Sequence, residues 1–147
     1  MSNLNNDYII NKLKNDYNLI FENSKKETVN NIINTYRKRI KTFLELKNTI
    51  IDYIDPKLKN INIEITLEDK KIIQTFYENI SYENNWEKDN IELIIEKFTN
   101  KNKIKLVKLG VPLRIVLTGK SKGPSISDIL FILGKENTLK RINNFLI

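Results

Sequence analysis

The chain has 147 residues, 40% of them hydrophobic, which suits one domain or two small subdomains with a real core and argues against wholesale disorder. It contains neither cysteine nor histidine, which excludes disulfides, thiolate chemistry, a Ser-His-Asp site and histidine-ligated zinc. Its formal net charge of +7 favours an anionic partner such as nucleic acid or a membrane surface, although heavy use of lysine, as AT-rich coding gives, accounts for the charge equally well. No apolar run is long enough to cross a bilayer, and the N-terminus MSNLNNDYII lacks the pattern of a signal peptide. The expected compartment is therefore the cytoplasm, with no membrane partner.

All four glycines lie at or after Gly110, and Pro56 is the only proline before it, so long helices are expected through most of the chain. Ile9, Leu13, Tyr17, Ile20 and Phe21 recur at helical spacing and predict a first helix. Val29, Ile32, Ile33, Tyr36, Ile40, Phe43 and Leu44 continue the pattern to Ile50, Ile51 and Ile54, with a break into two helices expected near 37–41. Asp55-Pro56 stops the run, because the residue before proline is biased away from helix. The stretch 60–65, NINIEI, alternates like a strand but has no evident partner, so it reads as an extended linker. Thr66 and Asp69 have capping-box spacing and open a helix whose face carries Ile72, Ile73, Phe76, Tyr77 and Ile80.

The polar segment 81–86 marks the expected boundary between two subdomains, and Trp86 at its end reads as a packing anchor. Ile91, Ile94, Ile95 and Phe98 mark the next helix. The run 101–108 is a basic patch interrupted by Ile104, Leu106 and Val107. Pro112 either kinks the following helix or opens a new one. Leu113, Val116 and Leu117 point inward, and Gly119 is a C-cap. Ser125, with Asp128 three residues on, caps the next helix, which Gly134 ends. Leu139, Ile142 and Phe145 give the last helix its face.

Two features in this last third could carry chemistry. The loop of Lys120, Ser121, Lys122, Gly123 and Pro124 places two cations beside a glycine and a helix start whose free amides favour an anion. A charged helix–helix turn explains the same residues. Arg114 lies between Leu113 and Ile115 on an otherwise apolar helix, and an arginine in such surroundings needs a partner. That partner is either a nucleobase, which the guanidinium fork can bond or stack upon, or an internal carboxylate.

Pro112, Leu113, Arg114, Leu117, Thr118, Gly119, Pro124, Leu133, Gly134, Lys135 and Glu136 follow in order a pattern that resembles the C-terminal signature of bacterial-type glutamyl-tRNA synthetases. Arg39-Ile40-Lys41-Thr42-Phe43 is similar to a second segment of that family. The resemblance implies that Arg114 and the loop residues Gly123, Pro124 and Ile126, with Lys120 and Lys122 beside them, approach anticodon bases. Arg39 is a second candidate. It also implies an all-α fold in two small helical subdomains, 1–80 and 81–147, with no catalytic Rossmann domain. The function so implied is the anticodon-binding module of a glutamate–tRNA ligase. Its partners would be the tRNA-Glu anticodon stem-loop and a catalytic domain in cis or in trans. The family's histidine-bearing ATP motif cannot exist in a chain without histidine, so this chain is expected to be non-catalytic and to hold no cofactor or metal. ATP and magnesium would belong to the catalytic domain. The alternative is a free-standing helical protein-interaction module with no nucleic-acid role.

Overall fold

A computed structural model describes residues 1–56, 58 and 64–147. Among them the regular structure is helical and no strand occurs, as the periodicity predicts. The expected linker 60–65 falls mostly outside the described residues. The chain forms two compact units, Met1–Pro56 and Lys57–Ile147.

In the first unit, α1 (Asn6–Asp16) is capped by Asn5, whose side-chain oxygen accepts the Tyr8 amide at 2.8 Å. The helix stops earlier than the apolar spacing suggests. Asn18 adopts a left-handed φ of 55°, and the Tyr17 and Leu19 amides both return to the Leu13 carbonyl. That reversal turns Leu19 into the core and leaves Ile20 87% exposed. A single 3-10 turn (Asn23–Lys25) leads into α2 (Lys26–Tyr36), and α3 (Phe43–Ile54) follows. The break expected at 37–41 is present, and Thr42 caps α3 by accepting the Glu45 amide. Ile9, Leu13, Val29, Ile32, Ile33, Leu46 and Ile50 are fully buried among these helices, each stabilising the fold by about 1.5–3 kcal/mol over exposure. Arg37, just past α2, donates to the Leu4 carbonyl at 2.8 Å and to the Asn6 side chain, so it ties the N-terminal residues to this unit.

The second unit contains α4 (Leu67–Ser81), α5 (Lys88–Lys101), α6 (Leu106–Thr118) and α7 (Ile126–Leu146). The division expected between residues 80 and 81 differs from this arrangement. Helix α4 packs on α6 and α7, and its Phe76 meets Phe98 of α5 edge to face, ring centroids 5.1 Å apart. The polar segment 81–86 is a turn inside the unit, and Trp86 anchors it by donating its indole N–H to the Leu130 carbonyl at 2.8 Å. Thr66 and Asp69 form the expected capping box at the start of α4. Lys108 bridges to both Glu68 and Asp69, at 3.3 and 3.4 Å, which holds the start of α6 to that of α4. These carboxylates raise the Lys108 pKa, chiefly through their hydrogen bonds. The basic run 101–108 is thus distributed over the end of α5, a turn and the start of α6, with one of its lysines already paired.

Pro112 lies within α6, where it has no N–H to donate to the Lys108 carbonyl. Gly119 ends the helix at a left-handed φ of 77°, as expected of a C-cap. Helix α7 is interrupted at Gly134, whose φ of 78° and ψ of 164° are open essentially to glycine alone. The expected helix end is therefore real, with a second helical segment following at once. The Asn137 side-chain amide donates to the Leu133 carbonyl at the break. Arg141, whose pKa burial pushes down, donates to the Leu117 carbonyl near the end of α6. Nothing lies within 4 Å of where a Cβ would stand at Gly134, so a substitution there acts through torsion and not through crowding. Gly134→Ala is expected to lower unfolding stability by about 1–3 kcal/mol, measured by urea titration.

Candidate functional site

The C-terminal end of α6, the loop after it and the start of α7 form one stitched corner. The sequence folds it locally. Gly119 reverses the chain. The Thr118 hydroxyl donates to the Arg114 carbonyl at 2.8 Å and accepts the Lys120 amide at 3.3 Å. The Ser125 hydroxyl then caps α7 by accepting the Asp128 amide, and it pairs with the Ser127 hydroxyl at 2.9 Å. The Asp128 carboxylate turns to Lys88 of α5, 2.8 Å away, which fixes the start of α7 against the start of α5.

Arg114 spans this corner. Its neighbours Leu113 and Ile115 are buried in the core, whereas its own side chain is half-buried and runs outward. Its Nε donates to the Pro124 carbonyl at 2.9 Å. That bond is to backbone, and no ion pair among the described residues involves Arg114. The guanidinium lies against Gly110 one turn earlier, where an added Cβ would stand 3.4 Å from Nη1. Its Nε therefore holds the loop, and Arg114 also lines a groove.

The groove has a volume of about 390 Å³ and is lined by Glu92, Ile95, Glu96, Thr99 and Leu106 as well as Arg114, Ser125, Ile126 and Ser127. Ile95 and Ile126 give it an apolar floor, and Leu106 a partly exposed wall. Arg114 brings the fork of a planar cation to this apolar surface. Such a combination suits a flat aromatic heterocycle with polar edges.

The site residues expected from sequence divide accordingly. Arg114 and Ile126 line the groove, and the Pro124 carbonyl anchors Arg114. Ile126 is only 3% exposed, so it serves as floor and not as a free stacking surface. Lys120, Lys122 and Gly123 are exposed on the loop, and nothing lies within 4 Å of where a Cβ would stand at Gly123. Arg39 belongs to the unit Met1–Pro56. It sits exposed between α2 and α3 beside exposed Lys38 and Lys41, a local cationic spot suited to phosphate. Glu92, Glu96 and Thr99 escaped the sequence reading. They are 15 to 22 residues before Arg114, and their only signal is the four-residue spacing that puts Glu92 and Glu96 on one face of α5. Among the described residues no group of three or more acidic side chains could hold a metal ion, and no helix is long and apolar enough to cross a membrane.

Comparison with known proteins bears on this arrangement. The family described as "Anticodon binding domain" matches residues 7–146. The chain is 34% identical over 149 residues to glutamate–tRNA ligase 1 of Aliarcobacter butzleri, an alignment covering 97% of this chain and 31% of that protein. It is 36% identical over 118 residues to the glutamate–tRNA ligase of Buchnera aphidicola, covering 73% of this chain and 25% of that one. In fold it is similar to the crystal structure of a glutamate–tRNA ligase from Elizabethkingia meningosepticum. That likeness has a TM-score of 0.74 at 22% identity and covers 97% of this chain and 29% of the other. The chain thus spans about a quarter to a third of the length of these relatives.

Proposed function

This chain belongs to the anticodon binding domain family, and from that premise we propose that it is the tRNA-gripping part of a glutamate–tRNA ligase. In this reading it holds the anticodon stem-loop of tRNA-Glu and positions the tRNA for a catalytic domain supplied in cis or in trans. ATP, glutamate and magnesium act in that other domain, and the setting is the cytoplasm.

The observation that carries the reading is Arg114. Its Nε is bonded to the Pro124 carbonyl, which restrains its guanidinium, and the residue lines the groove. A pre-set fork loses less freedom on binding than a mobile side chain, so more of each base contact appears as affinity. The division of labour follows from chemistry. Lys120 and Lys122 on the loop, and Arg39 with Lys38 and Lys41 in the first unit, meet phosphate, which anchors the RNA without reading its sequence. Arg114 and the groove meet a splayed base, whose edges carry the sequence information.

The test is binding to an unmodified glutamate-tRNA anticodon stem-loop at fixed, near-physiological salt, beside the same hairpin with its anticodon changed. A preference of about tenfold or more for the first is expected. Equal and steeply salt-dependent binding to both would reduce the chain to a basic surface. Absence of binding to either would favour a protein-interaction module instead.

A further inference from the structure

Four of the five residues from 37 to 41 are cations, and no carboxylate forms an ion pair with any of them among the described residues. Lys38, Arg39 and Lys41 are exposed, whereas Arg37 is half-buried. One Nη of Arg37 donates to the Leu4 carbonyl at 2.8 Å and to the Ser2 carbonyl at 3.3 Å, and the other donates to the Asn6 side-chain oxygen. Asn6 is itself fastened to α2, its side-chain amide donating to the Asn30 and Asn34 side chains at 3.1 Å each. The Arg37 Nε is buried without a hydrogen-bond partner. All these acceptors are neutral, so the guanidinium charge adds to the three beside it. Like charges crowded into one short segment repel each other, and a tether for the start of the chain needs no cation. The arrangement gains when an anion arrives.

The backbone carries this clamp to Arg39. The Arg37 amide donates to the Ile33 carbonyl at 2.8 Å, and the Arg39 and Ile40 amides both return to the Tyr36 carbonyl, at 2.8 and 2.9 Å. Ile40 is buried in the core, and Thr42 caps α3. The Tyr36 hydroxyl meets that of Tyr53 at 2.7 Å, which joins α2 to α3. Arg39 thus stands two residues after a clamped side chain and directly before a buried one. The backbone that presents Lys38, Arg39 and Lys41 is set before any ligand binds, and only their side chains remain to be ordered.

We propose that Arg37 is the positioning residue of an RNA-phosphate site formed by Lys38, Arg39 and Lys41: its hold on Ser2, Leu4 and Asn6 fixes the corner from which the other three meet the RNA backbone. The inference rests on the reading of the chain as an anticodon-stem-loop binder. Lysine cannot replace Arg37, because one ammonium does not span acceptors on three residues as the planar fork does. R37K therefore keeps the charge of the chain and loses the clamp. N6A is a second charge-neutral route to the same end, because it removes an acceptor of Arg37 and both links to α2. The experiment measures anticodon-hairpin affinity against salt concentration for wild type, R37K and N6A. Each is made with the corner intact and with the corner stripped by K38A/R39A/K41A, and circular dichroism checks that helix content is kept.

Stripping the corner should weaken binding about 30-fold and reduce the salt slope by about two, as loss of phosphate contacts does. With the corner intact, R37K and N6A should each weaken binding about fivefold and reduce the slope by about one, although neither changes the charge. With the corner stripped, neither should weaken binding further. R37K with wild-type affinity and slope overturns the proposal; should R37K lose its helix content, N6A is read in its place. A loss of equal size in the intact and stripped backgrounds also overturns it, because a merely structural role acts on both alike. In these cases stripping still weakens binding, and the reading of the corner as a phosphate contact stands without Arg37. If stripping changes nothing while the hairpin binds, the phosphate site and its positioning residue fall together. If wild type binds no hairpin, the reading of the chain falls as well.

Discussion

Replacing Arg114 by alanine is expected to weaken binding of the glutamate-tRNA anticodon hairpin about 30-fold, the effect of removing a central anchor worth about 2 kcal/mol. Two losses combine. The groove loses its only donor fork, and the loop loses the bond from Nε to the Pro124 carbonyl that fixes its path. Arg114→Lys should not rescue the affinity. Lysine keeps the charge, but it cannot hold the carbonyl with one nitrogen while offering a planar pair of donors with the others. The contrast that identifies base reading is with Lys120→Ala or Lys122→Ala. Those changes should weaken hairpins with correct and altered anticodons alike and should flatten the salt dependence, as loss of a phosphate contact does. An Arg114→Ala variant that weakened both hairpins equally would show that the side chain only braces the loop.

The largest effect on stability is expected at Phe98. It is 2% exposed and packs edge to face on Phe76, itself fully buried, so it joins α5 to α4 at the centre of the second unit. Phe98→Ala removes the transfer free energy of a whole ring and leaves a cavity that four packed helices cannot close, a cost of about 3–5 kcal/mol. Against a typical domain stability of about 5–15 kcal/mol this is a large fraction. Trp86, the sole tryptophan, lies in the same unit and is tethered to Leu130, so its fluorescence reports unfolding of that unit alone. The urea midpoint should fall by roughly 2 M with little change in slope. Lys97→Ala, at an exposed position on the same helix, should shift it hardly at all.

Local chemistry was the legible part of this fold. Caps and stops need only a few consecutive residues, so Thr66 with Asp69, Ser125, Gly119 and Gly134 could each be read from the chain and are found in those roles. The interruption between α2 and α3 was visible as a run of polar, charged residues. What the chain does not advertise is packing between distant segments. The turn at 81–86 looks like a boundary because it is polar, yet Phe76 before it and Phe98 after it share one core. Ile20 fits a helical stripe, but a left-handed Asn18 turns Leu19 inward instead. The site divides in the same way. Arg114 stood out as a cation among apolar neighbours, and the structure gives its Nε the Pro124 carbonyl as a partner. Glu92 and Glu96 carry no local anomaly, and only the fold brings them to the groove.

The break at Gly134 gives the segment Leu133, Gly134, Lys135 and Glu136 a physical meaning of its own. One long helix would sum its peptide dipoles from residue 126 to 146. The interruption divides that sum into two macrodipoles in series, each with its own positive start and negative finish. Leu133 closes the first, buried, with its carbonyl covered by the Asn137 amide, and Glu136 sets a carboxylate within the first turn of the second, where negative charge is favoured. These four residues act as punctuation: an apolar close, a torsion reserved for glycine, and an acidic opening. Their part in the resemblance to the synthetases is then a conformational instruction that keeps the chain's last segment against the end of α6, where Arg141 reaches Leu117.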